Sequence, residues 1–354
     1  MISDINNDLK QRLDDFSYTL PKELIAQEPS LSRDASRMMV LDRSQGKIGN
    51  SFFHLLVDSL KKGDCIVVND SKVIPARLFG KKNTGGVVEI LILKQKGAGK
   101  FGESWVVLLR PAKRMAPGSK IYFGDGAQAI VKERISDKEW VVEFHTEMGF
   151  ETFLDKFGRT PTPPYIRRKK GSESPSDRER YQTVYACVPG SVAAPTAGLH
   201  FTEEFLDRLS DLGVTSAKVT LHVGYGTFSP VEAPYISDHV MEEEFFEIGE
   251  EAAERINSAE RVIAVGTTST RVLETAADET GRVKPATGET GLYIYPGYRF
   301  KRVNGLLTNF HLPKSSLFIL VCAFAGTEFA KKAYAEAVAE RYRFYSYGDC
   351  MLIL

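Results

Sequence analysis

The stretch Arg261-Val262-Ile263-Ala264-Val265-Gly266-Thr267-Thr268-Ser269-Thr270-Arg271 reads as strand, turn and helix. The apolar run at 261–265 suits a short strand, Gly266 permits the turn, and hydroxyl side chains open a helix at 268–279 by capping its amides. Moving outward, the same alternation recurs. A helix is predicted over 202–212, where Thr202 can cap, Glu203 and Glu204 suit the positive dipole end, and Gly213 stops it. Strands are expected at 218–223, 292–295 and 350–354, and helices at 250–258 and 328–340. Residues 317–325 form a buried element, helix or strand. Strand–helix alternation implies a layered, largely parallel α/β domain.

Upstream the texture changes. Strand-like runs at 65–69, 73–79, 87–93, 105–109, 120–123, 128–133 and 140–144 follow at short spacing, broken by turn residues such as Asn83-Thr84-Gly85-Gly86 and Gly124-Asp125-Gly126. No helical period appears, which is the pattern of a small antiparallel barrel or sandwich. Before it come a short helix start at 21–25, a strand at 38–42 and an amphipathic helix at 52–61. The expected fold class is therefore α/β (mixed): a layered α/β main domain with an inserted small antiparallel β-barrel domain. Residues 1–62 plus 151–354 are expected to form the discontinuous α/β domain, the catalytic one, and residues 63–150 the barrel. Residues 159–180, with Pro161, Pro163, Pro164, Pro175 and a basic excess, read as an extended, mobile connection.

Composition narrows the function classes. The 354 residues suit about two domains. Lys plus Arg and Asp plus Glu are both 46, so bulk-charge binding of nucleic acid is disfavoured while a local basic face is not. The longest apolar run, 317–325, is about half of what a bilayer crossing needs. The first ten residues are polar and acidic, so no secretory signal is expected. Cys65, Cys187, Cys322 and Cys350 are scattered and form no C-x-x-C pair. They read as reduced thiols of a cytoplasmic protein, not as a disulfide frame or zinc site.

Several segments can carry chemistry. In 189–202, small residues crowd a loop leading to a helix, so that backbone can approach a ligand closely, and His200 can move protons near neutrality. Residues 218–228 form a strand ending in Gly224-Tyr225-Gly226, which lacks the third glycine of a dinucleotide fingerprint. The hydroxyls of 267–270 with Arg271 suit a ribose, carboxylate or phosphate, although simple N-capping needs only one of them. Residues 307–316 make a polar loop, and Arg343-Phe344-Tyr345-Ser346-Tyr347-Gly348-Asp349 gathers aromatics, a cation and a carboxylate. The acidic run at 242–244 reads as a solvated face. No P-loop, nucleophile elbow or His-Glu-x-x-His occurs.

These segments resemble the S-adenosylmethionine:tRNA ribosyltransferase-isomerases of the queuosine pathway over nearly the whole chain. The matching blocks include Phe16-Ser17-Tyr18, Val68-Asn69-Asp70-Ser71-Lys72-Val73-Ile74-Pro75-Ala76-Arg77-Leu78, Pro163-Pro164-Tyr165-Ile166, Tyr181-Gln182-Thr183-Val184-Tyr185-Ala186, and residues 190–202, 221–228, 265–271, 308–316 and 342–349. One position departs: Glu242 stands where the family pattern leads us to expect a histidine.

The resemblance implies transfer and isomerisation of the ribosyl moiety of S-adenosylmethionine onto 7-aminomethyl-7-deazaguanine at the tRNA wobble position. Epoxyqueuosine forms, and adenine and methionine leave. S-adenosylmethionine is then a consumed co-substrate, with no cofactor and no metal, and the partner is a tRNA bound by a monomer. The sulfonium acidifies the ribose C5′ protons, so a base is required, and departing adenine requires an acid. By residue type, His200, His222 and His311 suit proton transfer, with Asp70 and Asp349 as carboxylate candidates. Gly190, Ser191, Thr196, Gly198, Gly224, Gly226, Thr267, Thr268, Arg271, Asn309 and Ser315 are expected to bind substrate. Arg167, Arg168, Lys169 and Lys170 would contact RNA phosphate. The rival reading is a non-catalytic RNA-binding protein, which needs the barrel but no small-molecule pocket. A methyltransferase is separated by its product, S-adenosylhomocysteine.

Overall fold

A computed structural model describes residues 11–99, 102–113, 115–168, 174, 176–228 and 230–354. The chain divides into two compact units, one of Met1–Ser71, Gln182–Val188 and Ala194–Leu354, the other of Lys72–Tyr181 and Pro189–Ala193.

The first unit is built on a nine-stranded sheet. Across it run Ala286–Thr290, Glu244–Ile248, Thr215–Leu221, Asp64–Asn69, Arg261–Val265, Gly305–Asn309, Cys350–Ile353, Arg37–Asp42 and Lys47–Phe52. The four strands from Thr215–Leu221 to Gly305–Asn309 are mutually parallel. Cys350–Ile353 also runs parallel to Arg37–Asp42, but the other pairings are antiparallel, so the sheet is mixed and not largely parallel. Asp64–Asn69, expected in the barrel, is central here, and all six of its residues are buried. A strand covered on both faces shows an unbroken apolar run, which does not reveal the sheet it joins.

Alternation along these strands sends Ile66, Val68, Ile263, Val265 and Leu307 into one cluster with Phe53, Phe201, Phe205 and Leu209. Helix Glu203–Asp211 supplies Phe205 and Leu209, and the Thr202 hydroxyl accepts the Phe205 N–H at 3.1 Å, as its sequence signals predict. Helix Gly266–Ala276 lies against all four parallel strands. Residues 53–59 form a 3-10 turn instead of the expected α-helix, and 317–325 resolve as helix Ser316–Ala325. No strand forms at 292–295; the edge strand is Ala286–Thr290. No helix among the described residues is long and apolar enough to cross a membrane.

The second unit is a closed six-stranded antiparallel barrel of Arg77–Lys81, Val87–Gly99, Gly102–Arg110, Glu139–His145, Gln128–Arg134 and Lys120–Tyr122. It closes where Lys81 pairs with Tyr122, and Gly80 admits this because a Cβ there would collide with Ile121. Leu78, Ile90, Ile92, Val107, Ile121, Ala129, Val131 and Val142 are fully buried. Helix Phe150–Phe157, absent from the sequence reading, sets Phe153 against Phe123 at 5.1 Å. Over residues 159–168 the connection is packed and is not the open linker expected. Thr160, Thr162 and Ile166 are buried, and Arg77 Nη2 donates to the Thr162 carbonyl at 3.0 Å. Lys169 and Lys170 lie outside the described residues.

Candidate active site

The parallel strands place the candidate residues along one edge. Asp70 follows Asp64–Asn69, His222 follows Thr215–Leu221, Thr267 and Thr268 follow Arg261–Val265, and Asn309 and His311 end Gly305–Asn309. Ligands of open α/β sheets bind beyond the carboxyl ends of the strands, so this convergence has a general physical basis. Asn69 ties two ends together: its Nδ2 donates to the Leu221 carbonyl at 3.0 Å, and its Oδ1 accepts the Ser71 and Leu221 amides, both at 3.0 Å. Asp70 is thereby fixed, and its Oδ1 accepts the Thr220 hydroxyl at 2.7 Å. His222 stacks on Phe245 at 5.3 Å. Burial lowers its pKa, against the pull of Asp70 and Glu247.

The turn Thr196–His200 contributes to the same edge. Gly198 packs directly under the Tyr185 hydroxyl, where a Cβ would collide. Gly266, at φ +88°, places Ala197 and the Thr268 hydroxyl each 3.6 Å from where its own Cβ would stand. His200 lies against Phe53 and is 4% exposed. Burial drives its pKa down to about 4, while the Arg33 backbone and the Asn309 side chain favour its proton. His200 Nε2, Asn309 Oδ1, Tyr185 Oη, Thr268 Oγ1 and Ser269 Oγ are buried without a hydrogen-bond partner among the described residues. Buried polar atoms are ordinarily satisfied, which makes these atoms candidates to face a polar ligand.

Other candidates are committed to the protein itself. His311 Nε2 pairs with the Thr308 hydroxyl at 2.8 Å, its N–H donates to Tyr334 Oη at 3.1 Å, and its carbonyl accepts from Tyr18 Oη. Burial lowers its pKa to about 3. Asp349 accepts the Arg37 amide at 3.0 Å and the Arg343 amide at 2.8 Å, and burial raises its pKa. Ser315 caps helix Ser316–Ala325. Gly190 and Ser191 belong to the second unit, where the Ser191 carbonyl accepts the Ile74 amide at 3.0 Å. Arg168 is turned inward from the expected cationic strip, gripping Asp177 through two bonds of 2.8 Å. Arg167 is exposed.

Arg271 is likewise spent within the fold. Its guanidinium donates to Glu244, to the Leu292 carbonyl at 2.9 Å and to the Thr290 carbonyl at 3.0 Å. Glu244 in turn accepts the Gly224 amide at 2.7 Å. The pair fixes the Gly224–Gly226 loop, over which the Glu242 carboxylate lies. Sequence reasoning missed Glu244, which is buried inside an acidic run read as solvated. It missed Arg33 and Tyr185 as well, because only the fold brings them to His200 and Gly198. Among the described residues no group of three His, Cys, Asp or Glu side chains is placed to hold a metal ion.

A family model described as "Queuosine biosynthesis protein" matches residues 13–353. The chain is 54% identical over 360 residues to a Syntrophus aciditrophicus protein named S-adenosylmethionine:tRNA ribosyltransferase-isomerase, covering 97% of this chain and 99% of that one. An Acetivibrio thermocellus protein of the same name is 51% identical over 348 residues, with 97% and 99% covered. The crystal structure of S-adenosylmethionine tRNA ribosyltransferase from Thermotoga maritima is similar at a TM-score of 0.53 and 35% identity, over 96% of this chain and all of that one.

Proposed function

The chain belongs to the queuosine biosynthesis protein family, and from that premise we propose that it moves the ribosyl moiety of S-adenosylmethionine onto 7-aminomethyl-7-deazaguanine at the wobble position of a tRNA. The ribosyl isomerises to give epoxyqueuosine, with release of adenine and methionine. The observation that carries this reading is the set of unpartnered buried polar atoms on the Thr196–His200 turn and on the two elements it touches, the helix Gly266–Ala276 and the strand Gly305–Asn309 of the parallel part of the sheet.

The chemistry needs a proton acceptor at C5′ and a proton donor to adenine. His200 suits the first role, since burial keeps its ring neutral at physiological pH. His222, just past the end of strand Thr215–Leu221, is assigned the second role by position; burial lowers its pKa, and the Asp70 and Glu247 carboxylates offset that only in part. The hydroxyls of Thr268 and Ser269 suit the ribose. Arg271 is assigned to holding the Gly224 loop in place of a substrate carboxylate. Work on tRNA places the enzyme in the cytoplasm. The test is mass spectrometry of precursor-modified tRNA after incubation with protein and S-adenosylmethionine. Adenine, methionine and a tRNA mass gain of one ribosyl-derived unit are expected; S-adenosylhomocysteine, or an unchanged tRNA, would sink the reading.

A further inference from the structure

The side chain of Tyr185 carries a hydroxyl that the fold does not use. Its ring is anchored in the core, edge-on to Phe201 at 6.2 Å. Its Oη stands over Gly198, where a Cβ would collide with it and would lie 2.7 Å from the Thr183 methyl. Both backbone groups of Gly198 are in use within the turn: the amide donates to the Pro195 carbonyl at 2.8 Å, and the carbonyl accepts the Phe201 amide at 3.2 Å. Tyr185 is 8% exposed and Thr183 5%, yet Tyr185 Oη and Thr183 Oγ1 are unpartnered among the described residues.

This arrangement is costly in two ways. A buried tyrosine hydroxyl ordinarily finds a partner, and a phenylalanine would fill the same ring space with nothing to satisfy. The hydroxyl also forces glycine at 198. The φ of Gly198 is not positive, so the close approach of the hydroxyl, and not the backbone, excludes a side chain there. A group that the fold bears at such cost and leaves unbonded has its partner in a ligand.

The chemistry of the surroundings says which part of a ligand. At Ala197, the next residue of the turn, the neighbouring unpartnered group is Thr268 Oγ1. Uncharged hydroxyls on both sides of the turn match the ribose and base of a nucleoside, whereas a carboxylate calls for a cation. Burial pushes the pKa of the Tyr185 phenol up, so it stays protonated and donates. Arg33 also reaches the turn, with Nη1 on the Leu199 carbonyl at 3.1 Å, so the two halves of the substrate need separate tests.

We infer that Tyr185 is a substrate-binding residue whose hydroxyl donates to the adenosyl half of S-adenosylmethionine, and that residue 198 is glycine in order to admit it. The inference rests on the reaction proposed above, which brings S-adenosylmethionine to this site.

The test compares wild type with Tyr185→Phe, which keeps the ring and removes only the hydroxyl. Without ligand, the variant should melt at or above the wild-type Tm, because an unbonded buried hydroxyl has gone. In calorimetric titrations its affinity for S-adenosylmethionine should fall by roughly 5- to 150-fold, the effect of leaving one buried acceptor bare. Methylthioadenosine, which has the adenosyl half and no methionyl half, should lose the same factor. Equal affinities in the two proteins overturn the inference. A Tm lowered by the substitution overturns it too, since the fold itself would then be bonding the hydroxyl. A loss confined to S-adenosylmethionine, or no methylthioadenosine binding by wild type, moves recognition to the methionyl half and overturns the assignment. If wild type binds neither ligand, the reaction reading fails together with the inference. If wild type binds both and the variant matches it, the inference alone fails.

Discussion

Replacing Glu244 by Ala removes one half of a pair in which Glu244 is 6% exposed and Arg271 4%. Arg271 keeps its bonds to the Leu292 and Thr290 carbonyls and cannot swing out to water without breaking them. Leaving one charge of a buried pair uncompensated costs about 3–5 kcal/mol. For a unit of this size that lowers Tm by roughly 6–20 °C. The Gly224 amide loses its acceptor at the same time, so the loop loosens. The double variant Glu244→Leu with Arg271→Met separates the two effects. Apolar replacement of a whole buried pair is often neutral in stability, but it leaves Gly224 unheld. We therefore expect the single variant to be unstable, and the double variant to be folded with reduced adenine release. Thermal melts and product assays check this. A single variant within about 1 kcal/mol of wild type, or a double variant with full activity, would refute the reasoning.

His200 and His311 should make stability fall as pH drops. Their folded pKa values, about 4 and about 3, lie below the unfolded value of 6.5, so the unfolded chain binds protons first. Each contributes up to about 1.4 kcal/mol per pH unit between pH 6.5 and its folded value. His311→Gln should flatten the pH dependence of urea unfolding, and an unchanged slope would show that His311 is not buried neutral. Gly198→Ala should cost about 1–3 kcal/mol by overpacking against Tyr185, and Tyr185→Phe should recover part of it in a double-mutant cycle. Arg168→Ala should destabilise the barrel unit by exposing the buried Asp177 charge to no partner bond from residue 168. Joint replacement of Arg167, Lys169 and Lys170 by Ala should reduce the salt slope of tRNA binding, which a salt series by filter binding reads out.

Local signals carried most of the elements. Thr202, Glu203, Glu204 and Gly213 framed their helix because capping and dipole effects depend on residues a turn apart. The barrel strands were legible because each pairs with its sequence neighbour. What stayed hidden depends on distant partners. Glu244 looks solvated until Arg271, 27 positions away, neutralises it. Lys47–Phe52 is a polar edge strand with no alternation to read. At the site, the residue types were visible in sequence, but their availability was not. His200 and His311 look alike as letters, and only the fold shows one ring nitrogen unpartnered and the other bonded to Thr308.

The order of strands in the nine-stranded sheet has a consequence for synthesis on the ribosome. Asp64–Asn69 is made early, yet its partners on both sides come from beyond the barrel; Thr220 and Asp70, bonded in the finished unit, are 150 positions apart. Arg37–Asp42 waits longer still, for residues 350–353. The barrel, whose six strands all lie between residues 77 and 145, can close while these apolar strands remain unmatched. Non-local pairing is slow and leaves strand edges open to aggregation. The emerging chain therefore carries a folded barrel beside a naked strand, and conditions that slow translation lengthen the interval in which that strand needs a chaperone.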